Sequence, residues 1–385
     1  MDKLRMGIAG FGSMGLNHAR AIISSVPEIE LTAVSTRSGT YVPALHEMKP
    51  DVRVFETPGQ MYESGLIDAV LIASPHRLHV QQAMEAFDAG IHVLLEKPTG
   101  VFTREVHELN AAADRSGVVF GAMFNQRTNP VYQKMKEIVA SGKYGGIRRT
   151  NVIITDWFRA QSYYDSTPWR ATWKQDGGGV LLNQSPHNID LWQWICGMPV
   201  RVHAFCGFGR WHDVEIEDDV TAYAEYANGA TGTFITCTGE MPGSNRFEIS
   251  MDGGQLIYEH DRLTLRVPDV PASRFIREYE GAYGKPGITV TDITPQEDYP
   301  KHAGVSRAFA RHILYGEPMT ADGREGLQSL MLANAMLLSA WEGRTVELPM
   351  SEADDERYAQ LLEERAAKSR KRAVRPMMID PGKSF

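Results

Sequence analysis

The sequence has little cysteine and no long apolar run. Its three cysteines, Cys196, Cys206 and Cys237, are widely spaced, odd in number and without the spacing of metal ligands. They are therefore predicted to be reduced, structural residues of a cytoplasmic protein, and no metal site is predicted. No apolar run approaches the ~18 residues that a membrane-spanning helix requires. The N-terminal apolar stretch continues straight into a glycine turn, which is not the pattern of a secretory signal.

A surplus of basic residues is also lacking. The chain has 48 Asp and Glu residues against 40 Lys and Arg residues, for a formal net charge of -8. This balance disfavours a general role in binding nucleic acid or a membrane surface. The 385 residues, 43% of them hydrophobic, are enough for two or three domains with real cores.

The N-terminal region carries a glycine-rich turn between a predicted strand, Leu4–Ala9, and a predicted helix over 13–24. In such a turn the first glycine permits the tight bend, the second the close approach of a pyrophosphate, and the third close helix–strand packing. The start of the helix adds free N–H groups and the positive end of its dipole. We therefore predict a dinucleotide site at Gly10, Phe11, Gly12, Ser13, Met14 and Gly15.

The second predicted strand, over 29–34, is followed by small hydroxyl residues and an arginine: Ser35, Thr36, Arg37 and Ser38. An NAD site usually places Asp or Glu here to bind the ribose 2′-hydroxyl. Guanidinium and hydroxyl groups instead suit a 2′-phosphate, which a carboxylate would repel. The pattern favours NADP(H) as cofactor, with NAD(H) as the alternative if Arg37 is merely solvated.

Strands and helices alternate with short connections to about residue 125, which predicts an α/β domain with a doubly wound parallel sheet over 1–125. Ligands bind such sheets at the carboxyl ends of the strands. One apolar strand ends there in Glu96-Lys97-Pro98, where the proline stops the strand and restricts the backbone of Lys97. Taken alone, this tripeptide is also typical of an ordinary strand-to-loop junction. The cofactor residues predicted at this edge are Ser74, Pro75, His79, Glu96, Lys97 and Asn125.

Beyond this domain the pattern changes to successive strands rich in β-branched residues. It predicts an α+β domain over 126–350 with a large, open, mostly antiparallel sheet. Residues 268–299, rich in Pro and Gly, are predicted as an extended loop. A charged tail over 351–385 is predicted to be helical, and its basic run Lys368–Arg372 is interpreted as a solvated helix face or an oligomer contact.

A second polar constellation follows the glycines Gly177–Gly179, where a helix is predicted over 186–196. Asn183, His187 and Asp190 are spaced so that they can face one side of this segment. A lone histidine on a helix is usually structural, but these polar neighbours and the predicted hydride-cofactor site favour an acid/base role for His187. The aromatic segment over 157–173 offers flat faces for a sugar ring, or packing within a loop. The predicted supporting residues are Asn183, Asp190, Trp157, Tyr163, Trp169 and Arg170.

In this order, the glycine turn, Ser74-Pro75 with His79, Glu96-Lys97-Pro98, and the triple glycine before His187 and Asp190 resemble the Gfo/Idh/MocA family of oxidoreductases. That family includes glucose–fructose oxidoreductase and inositol dehydrogenase. The resemblance covers about residues 4–350. It implies a Rossmann domain followed by an open-sheet domain that in relatives commonly packs against another subunit. It also implies that Lys97 contacts the nicotinamide ribose and the substrate hydroxyl, often with a cis peptide bond before Pro98.

The chain departs from the family pattern beside the histidine. Many relatives carry an aspartate four residues before it, where this chain has Asn183, and a glycine where it has Ser185. A charged Lys-Asp-His set is therefore open to doubt, although Lys97 and His187 both match. Asp190 is the alternative proton carrier, or an orienting partner of His187 if the helix geometry brings the two together.

The predicted activity is NAD(P)-dependent hydride transfer between the nicotinamide and a secondary alcohol or ketone of a sugar, cyclitol or glycoside. Two other classes stay open: a redox-neutral glycoside-processing enzyme that retains NAD(H), and a non-catalytic nucleotide-sensing regulator. We also predict a homodimer or homotetramer. Its basis is a sheet face that needs covering, inferred from Val220, Ala222, Phe234 and Ile235.

Overall fold

The first part of the chain forms a six-stranded sheet in which every strand pair is parallel. The computed structural model describes residues 3–369. The strands are β1 (Leu4–Ala9), β2 (Ile29–Ser35), β3 (Arg53–Phe55), β4 (Ala69–Ile72), β5 (His92–Leu95) and β6 (Phe120–Ala122). Their order, β3-β2-β1-β4-β5-β6, reverses between β1 and β4. Ligands bind doubly wound sheets at this switch point.

Helices cover both faces of this sheet. Along β4, Ala69 and Leu71 belong to one core, whereas Val70 and Ile72 belong to the other. Burial on both faces explains why this strand is apolar at every position. The helices of this region are α1 (Ser13–Ser25), α2 (Val42–Met48), α3 (Pro58–Tyr62), α4 (His79–Asp88) and α5 (Thr103–Ser116).

The later part of the chain forms a nine-stranded sheet with the order β14-β13-β12-β11-β7-β10-β9-β8-β15. Among the described strands of this second sheet, only the β7–β10 pair is parallel. The sheet is therefore mostly antiparallel, as predicted. The strands are β7 (Ile147–Ile154), β8 (Arg201–Phe208), β9 (Glu217–Glu225), β10 (Thr231–Cys237), β11 (Asn245–Met251), β12 (Gln255–Glu259), β13 (Arg262–Pro268), β14 (Ile288–Asp292) and β15 (Val346–Glu347).

Seven helices accompany this sheet among the described residues: α6 (Pro130–Ala140), α7 (Gln161–Asp165), α8 (Pro186–Cys196), α9 (Ala272–Glu278), α10 (Lys301–Tyr315), α11 (Gly326–Glu342) and α12 (Glu352–Ala367). α8 packs on one face of the sheet, where Trp192 stacks on Phe234 of β10 with ring centroids 5.5 Å apart. α10 instead returns to the first sheet, because its Val305 and Phe309 lie in the same core as Leu16 of α1. Because α10 packs back on the first sheet, the domain bounds 1–125, 126–350 and 351–385 stay predictions.

The two faces of the nine-stranded sheet differ in what covers them, and the structure corrects one argument here. Val220, Ala222 and Phe234 are buried in the core of their own chain, so the prediction that they need a partner was wrong. On the opposite face, Phe205 is 70% exposed and Tyr223 is 45% exposed. An apolar open face therefore exists, and half-buried Ile235, the fourth residue named in the prediction, lies on it in register with Phe205.

Residues 268–299 are not a simple extended loop, which corrects a second prediction. They contain α9 and the edge strand β14, which pairs antiparallel with β13. All five residues of β14 are exposed, but Ile288 and Val290 alternate with Thr289 and Thr291, a strand pattern that the prediction overlooked. In the tail, α12 confirms the predicted helix. Arg370, Lys371 and Arg372 of the predicted basic run lie outside the described residues.

Within residues 3–369, none of the helices combines the length and the apolar character needed to cross a membrane.

A buried ion pair joins the two sheets' regions. Arg127, in a 3₁₀ turn over Asn125–Thr128, donates from Nε and Nη2 to both carboxylate oxygens of Asp190 on α8, at 2.8 and 2.7 Å. Both side chains are 1% exposed. Nη1 of Arg127 also donates to Glu325 at 2.6 Å. The paired charge thus fixes α8, which carries His187, against the end of the first sheet.

We predict that Asp190→Ala lowers the free energy of unfolding by about 3–5 kcal/mol, because it leaves the Arg127 charge buried without its bidentate partner. Urea denaturation followed by tryptophan fluorescence measures this. The control is Asp68→Ala, which breaks the exposed pair between Arg5 and Asp68 and should cost less than about 1 kcal/mol. Equal losses in the two variants would contradict a special role for the buried pair.

Candidate active site

The glycine turn between β1 and α1 has the shape required to hold a dinucleotide. Gly10 has φ +80°, and a Cβ there would lie 2.6 Å from the backbone of Ser74. Around Gly12, by contrast, a Cβ would have no protein atom within 4 Å. The first turn of α1 has no side-chain cap, so its first N–H groups have no side-chain partner there. A pyrophosphate fits where the turn is open and the helix donors are unused.

The residues after β2 form a polar turn beside this cradle. The hydroxyl of Thr36 accepts from the N–H of Gly39 at 3.4 Å, and that of Ser38 accepts from the N–H of Thr40 at 3.4 Å. The Ser35 hydroxyl is buried without a partner among the described residues. Arg37 is exposed. The predicted ribose-side residues thus lie together at the end of the strand next to β1.

The carboxyl end of β5 places Glu96 and Lys97 at the same edge. Glu96 is buried, with Oε1 2.7 Å from Nε2 of His18 on α1 and Oε2 accepting the N–H of Lys97 at 3.0 Å. These partners, with the nearby charges of His302 and Lys97, outweigh burial and lower the pKa of Glu96. Glu96 therefore supports Lys97 from within the protein, and a direct cofactor contact for it stays a prediction. The Lys97–Pro98 peptide bond is cis, as the family resemblance implied.

His79 fixes the two loops at this edge. Its ring nitrogens lie 2.8 Å from the carbonyl oxygen of Pro98 and 2.7 Å from that of Ser74. His79 is fully buried, and burial lowers its pKa. His79 was predicted among the cofactor residues. In the structure it joins the Ser74 loop to the Lys97 loop. Asn125 lies nearby in the fold, with its amide nitrogen 3.3 Å from the hydroxyl of Tyr299 and its Oδ1 buried without a partner among the described residues.

His187 begins α8 next to these loops. It is 3% exposed, and its Nδ1 is buried without a hydrogen-bond partner in the described part of the chain. Burial lowers the pKa of His187 well below its usual value, and the positive charge of Lys97 lowers it further. His187 is therefore neutral at physiological pH and able to accept a proton. Asp190, its predicted partner, is instead engaged by Arg127 and Gln193.

Asn183 is held by hydrogen bonds of both its main chain and its side chain. Its carbonyl oxygen accepts from Nζ of Lys97 at 2.8 Å, and its side-chain amide donates to the carboxylate of Asp176 at 3.1 and 3.2 Å. Sequence reasoning missed Asp176, which lies directly before the triple glycine. The one available signal was an acidic residue beside that motif; nothing in its spacing pointed to Lys97.

A second buried carboxylate, also missed, supports the glycine segment. Oε1 of Glu217, on β9, accepts the N–H groups of Gly179 at 2.8 Å and Leu181 at 3.1 Å. Burial raises the pKa of Glu217 to about 8. A Cβ on Gly179 would lie 1.9 Å from the carbonyl oxygen of Glu217, so this contact requires glycine. The strand thereby fixes the loop that delivers Asn183.

The aromatic segment divides into packed and partly open members. Tyr164 and Trp173 are buried core residues. Arg170 lies over the rings of Tyr163 and Trp169, at 4.4 and 4.6 Å, and donates to the Tyr163 hydroxyl. That hydroxyl lies 3.4 Å from Oδ1 of Asn183, and Trp157 donates to Asn188 of α8 at 3.1 Å. Tyr163, Trp169 and Arg170 thus form one cluster that contacts Asn183, and Trp157 contacts α8, while the supporting role of all four stays a prediction.

Within the described range, no cluster of three or more His, Cys, Asp or Glu side chains is arranged to hold a metal ion. Burial lowers the pKa of Lys97, an effect that the charges of Glu96 and Asp176 oppose. The assembled groups are thus a half-buried lysine, a neutral histidine and an open nucleotide cradle at one sheet edge. This arrangement can bind a hydroxyl or carbonyl oxygen beside a bound nicotinamide and move its proton.

Two family models match the chain. The model described as an oxidoreductase family with an NAD-binding Rossmann fold matches residues 4–124, and the model of the GFO/IDH/MocA C-terminal domain matches residues 132–257. The chain belongs to the GFO/IDH/MocA family of oxidoreductases. Its N-terminal domain is therefore an NAD-binding Rossmann domain, which agrees with the cradle described above.

Individual relatives are distant, and some match only in part. The rhizopine catabolism protein MocA of Rhizobium meliloti is 28% identical over 197 residues, which are 51% of this chain and 58% of that protein. The match thus spans little more than half of that relative. The D-glucoside 3-dehydrogenase of Escherichia coli is 25% identical over 90% of this chain and 97% of that protein.

Solved structures agree on the fold. The WlbA dehydrogenase of Bordetella pertussis, in complex with NADH and UDP-GlcNAcA, superposes with a TM-score of 0.76 at 27% identity, covering 91% of this chain and all (100%) of that one. Levoglucosan dehydrogenase, in complex with NADH and levoglucosan, has a TM-score of 0.75 at 20% identity, covering 91% and 100%. The second likeness supports the fold alone.

Proposed function

We propose that this member of the family transfers a hydride between a nicotinamide cofactor and a secondary alcohol or ketone of a sugar, cyclitol or glycoside. The observation that carries the proposal is Lys97 at the end of β5, the sheet edge that also holds the open glycine cradle, with its charge acting on buried His187. A relative named above supports the substrate class, since it is a dehydrogenase of a glucoside.

The residues divide the work according to their charge. When bound, the nicotinamide supplies the hydride acceptor or donor. Lys97 would donate a hydrogen bond to the substrate oxygen and stabilise the negative charge that develops on it. His187 would accept the hydroxyl proton during oxidation and return it during reduction. Tyr163 and Trp169, held by Arg170, would offer flat surfaces to the sugar ring.

A panel of polyols and glycosides, assayed with both cofactors for reduced nicotinamide, tests the proposal. We expect His187→Ala to lower kcat by about 10²–10⁴-fold, the usual size of general-base catalysis, and Lys97→Met to be at least as damaging. The control is His107→Ala on α5, which is exposed and should leave kcat unchanged. Wild-type activity that survives both site variants would contradict these roles.

The redox-neutral alternative uses the same groups and is distinguished by its products. Cleavage of a glycoside without net reduced cofactor would favour it over a dehydrogenase. A nucleotide-sensing regulator would bind the cofactor and turn over none of the panel. The chain keeps both Lys97 and His187, and the charge of Lys97 acts on His187, which supports an enzyme over the regulator.

We also propose a preference for NADP(H) over NAD(H), because exposed Arg37 and the hydroxyls of Thr36 and Ser38 lie where a carboxylate would otherwise bind the ribose. Arg37→Ala should lower the ratio of kcat/KM with NADP to kcat/KM with NAD by about tenfold, or ~1.4 kcal/mol. Arg20→Ala, an exposed position further along α1, is the control. A wild type that favours NAD, with no response to Arg37→Ala, would show that Arg37 is only solvated.

We propose a cytoplasmic location, which is consistent with three unpaired cysteines.

We also propose a homodimer or homotetramer that covers the open face of the nine-stranded sheet. Phe205→Asp on that face should shift sedimentation toward a monomer, since it places a charge at an apolar interface. Met48→Asp, at a 37% exposed position on α2, should not. A wild type that sediments as a monomer at micromolar concentration would remove this proposal.

A further inference from the structure

Asp176 is a buried carboxylate with partners on three sides. It is 2% exposed and lies in the coil before the triple glycine. Its oxygens accept from the N–H of Ala171 at 3.0 Å and from the amide of Asn183 at 3.1 and 3.2 Å. Nδ1 of His76 lies 3.2 Å from its Oδ1 and 3.0 Å from its carbonyl oxygen. A carboxylate with so many partners is fixed in one orientation.

This carboxylate reaches Lys97 through Asn183. The asparagine accepts from Lys97 Nζ with its main-chain oxygen while its side chain donates to Asp176. Asp176 and Glu96 are the two carboxylates whose charges favour the ammonium form of Lys97 against burial. Glu96 is already bonded to His18 and to the Lys97 N–H. Asp176 therefore supplies countercharge from the opposite side, that of the second domain.

We propose that Asp176 is a positioning residue of the dehydrogenase, which orients Asn183 and Lys97 and supplies the carboxylate that position 183 lacks. The inference rests on the proposed function. It assigns the charge to a residue seven positions before Asn183 along the chain. The asparagine then transmits the effect of the carboxylate rather than replacing it.

The surroundings of Asp176 indicate when the carboxylate is present. Burial raises its pKa to about 6, while the Ala171 N–H, Arg170, Asn183 and Lys97 oppose that rise. The charged form is therefore lost as pH falls through about 6, and activity that depends on it should fall with it. Glu217 of β9 is a further carboxyl group near Asp176. Burial raises its own pKa, and the charge of Asp176 adds a smaller effect in the same direction.

The histidines near Asp176 do not titrate in this range. Burial and the charges of His79 and Lys97 lower the pKa of His76 to about 3. Burial and Lys97 likewise lower the pKa of His187 well below its usual value. An acid limb near pH 6 in kcat is therefore assigned to Asp176 rather than to His76 or His187, and the variants below test that assignment.

The test is a carboxylate exchange, followed by kcat and KM across pH 5–9 on the best substrate of the panel. Asp176→Asn should lower kcat by roughly 10–100-fold, the cost of a displaced catalytic group, change KM little, and remove the acid limb. The double variant Asp176→Asn, Asn183→Asp moves the carboxylate to the residue that Asp176 contacts. Its kcat should be at least about tenfold higher than that of Asp176→Asn, and an acid limb should return. Asp68→Asn, in the exposed pair with Arg5, is the control.

Asn183→Asp alone keeps the inference testable if Asp176→Asn fails to fold. It places two carboxylates within hydrogen-bond distance, so that one should hold its proton to higher pH and the acid limb should move upward. An unmoved limb, or an Asp176→Asn enzyme that keeps both its rate and its limb, overturns the inference while the dehydrogenase stands. A wild type that oxidises nothing in the panel contradicts the proposed function, and this inference with it.

Discussion

The partial burial of one lysine, Lys97, is the constraint on which the site depends. An ammonium group taken out of water is costly unless it is paired and hydrogen-bonded. Lys97 meets this requirement with Glu96 behind it, the Asn183 carbonyl at 2.8 Å and the charge of Asp176 beyond. The first of these belongs to the Rossmann sheet and the others to the second domain. Satisfying the lysine therefore brings the two parts of the chain together at the cofactor edge.

Other buried polar contacts reinforce that junction. Arg127 and Asp190 fix α8 to the end of the first sheet, and Glu217 fixes the glycine loop from the second sheet. Tyr163 is tied to the same centre, since its hydroxyl lies 3.4 Å from Oδ1 of Asn183 and accepts from Arg170. Lys97, Asn183 and Tyr163 therefore share one hydrogen-bond network.

Local pattern was sufficient for much of this architecture. The glycine turn, the alternation of strands and helices, and the helix Pro186–Cys196 followed from periodicity and from residues with special backbone requirements. Pairings across the chain did not follow. Asp190 meets Arg127, 63 residues away, and Asp176 meets His76, 100 residues away. Neither has a local signature, because coil and helix positions reveal their partners only after folding. The residues predicted for the open sheet face were partly wrong for a similar reason. Alternation shows that two faces exist, not which one the helices occupy, and the neighbours Phe234 and Ile235 lie on opposite faces.

The most direct measurement of the central claim follows the hydride itself. A panel of sugars, cyclitols and glycosides deuterated at the carbinol carbons would be incubated with the oxidised cofactor, and deuterium on the nicotinamide measured by mass spectrometry. The account predicts label on the nicotinamide with the wild type, and transfer at least about a hundredfold slower with Lys97→Met, because the forming alkoxide loses its stabilising charge. A protein that binds the cofactor but transfers deuterium from no member of the panel, or transfers it equally well without Lys97, would contradict it.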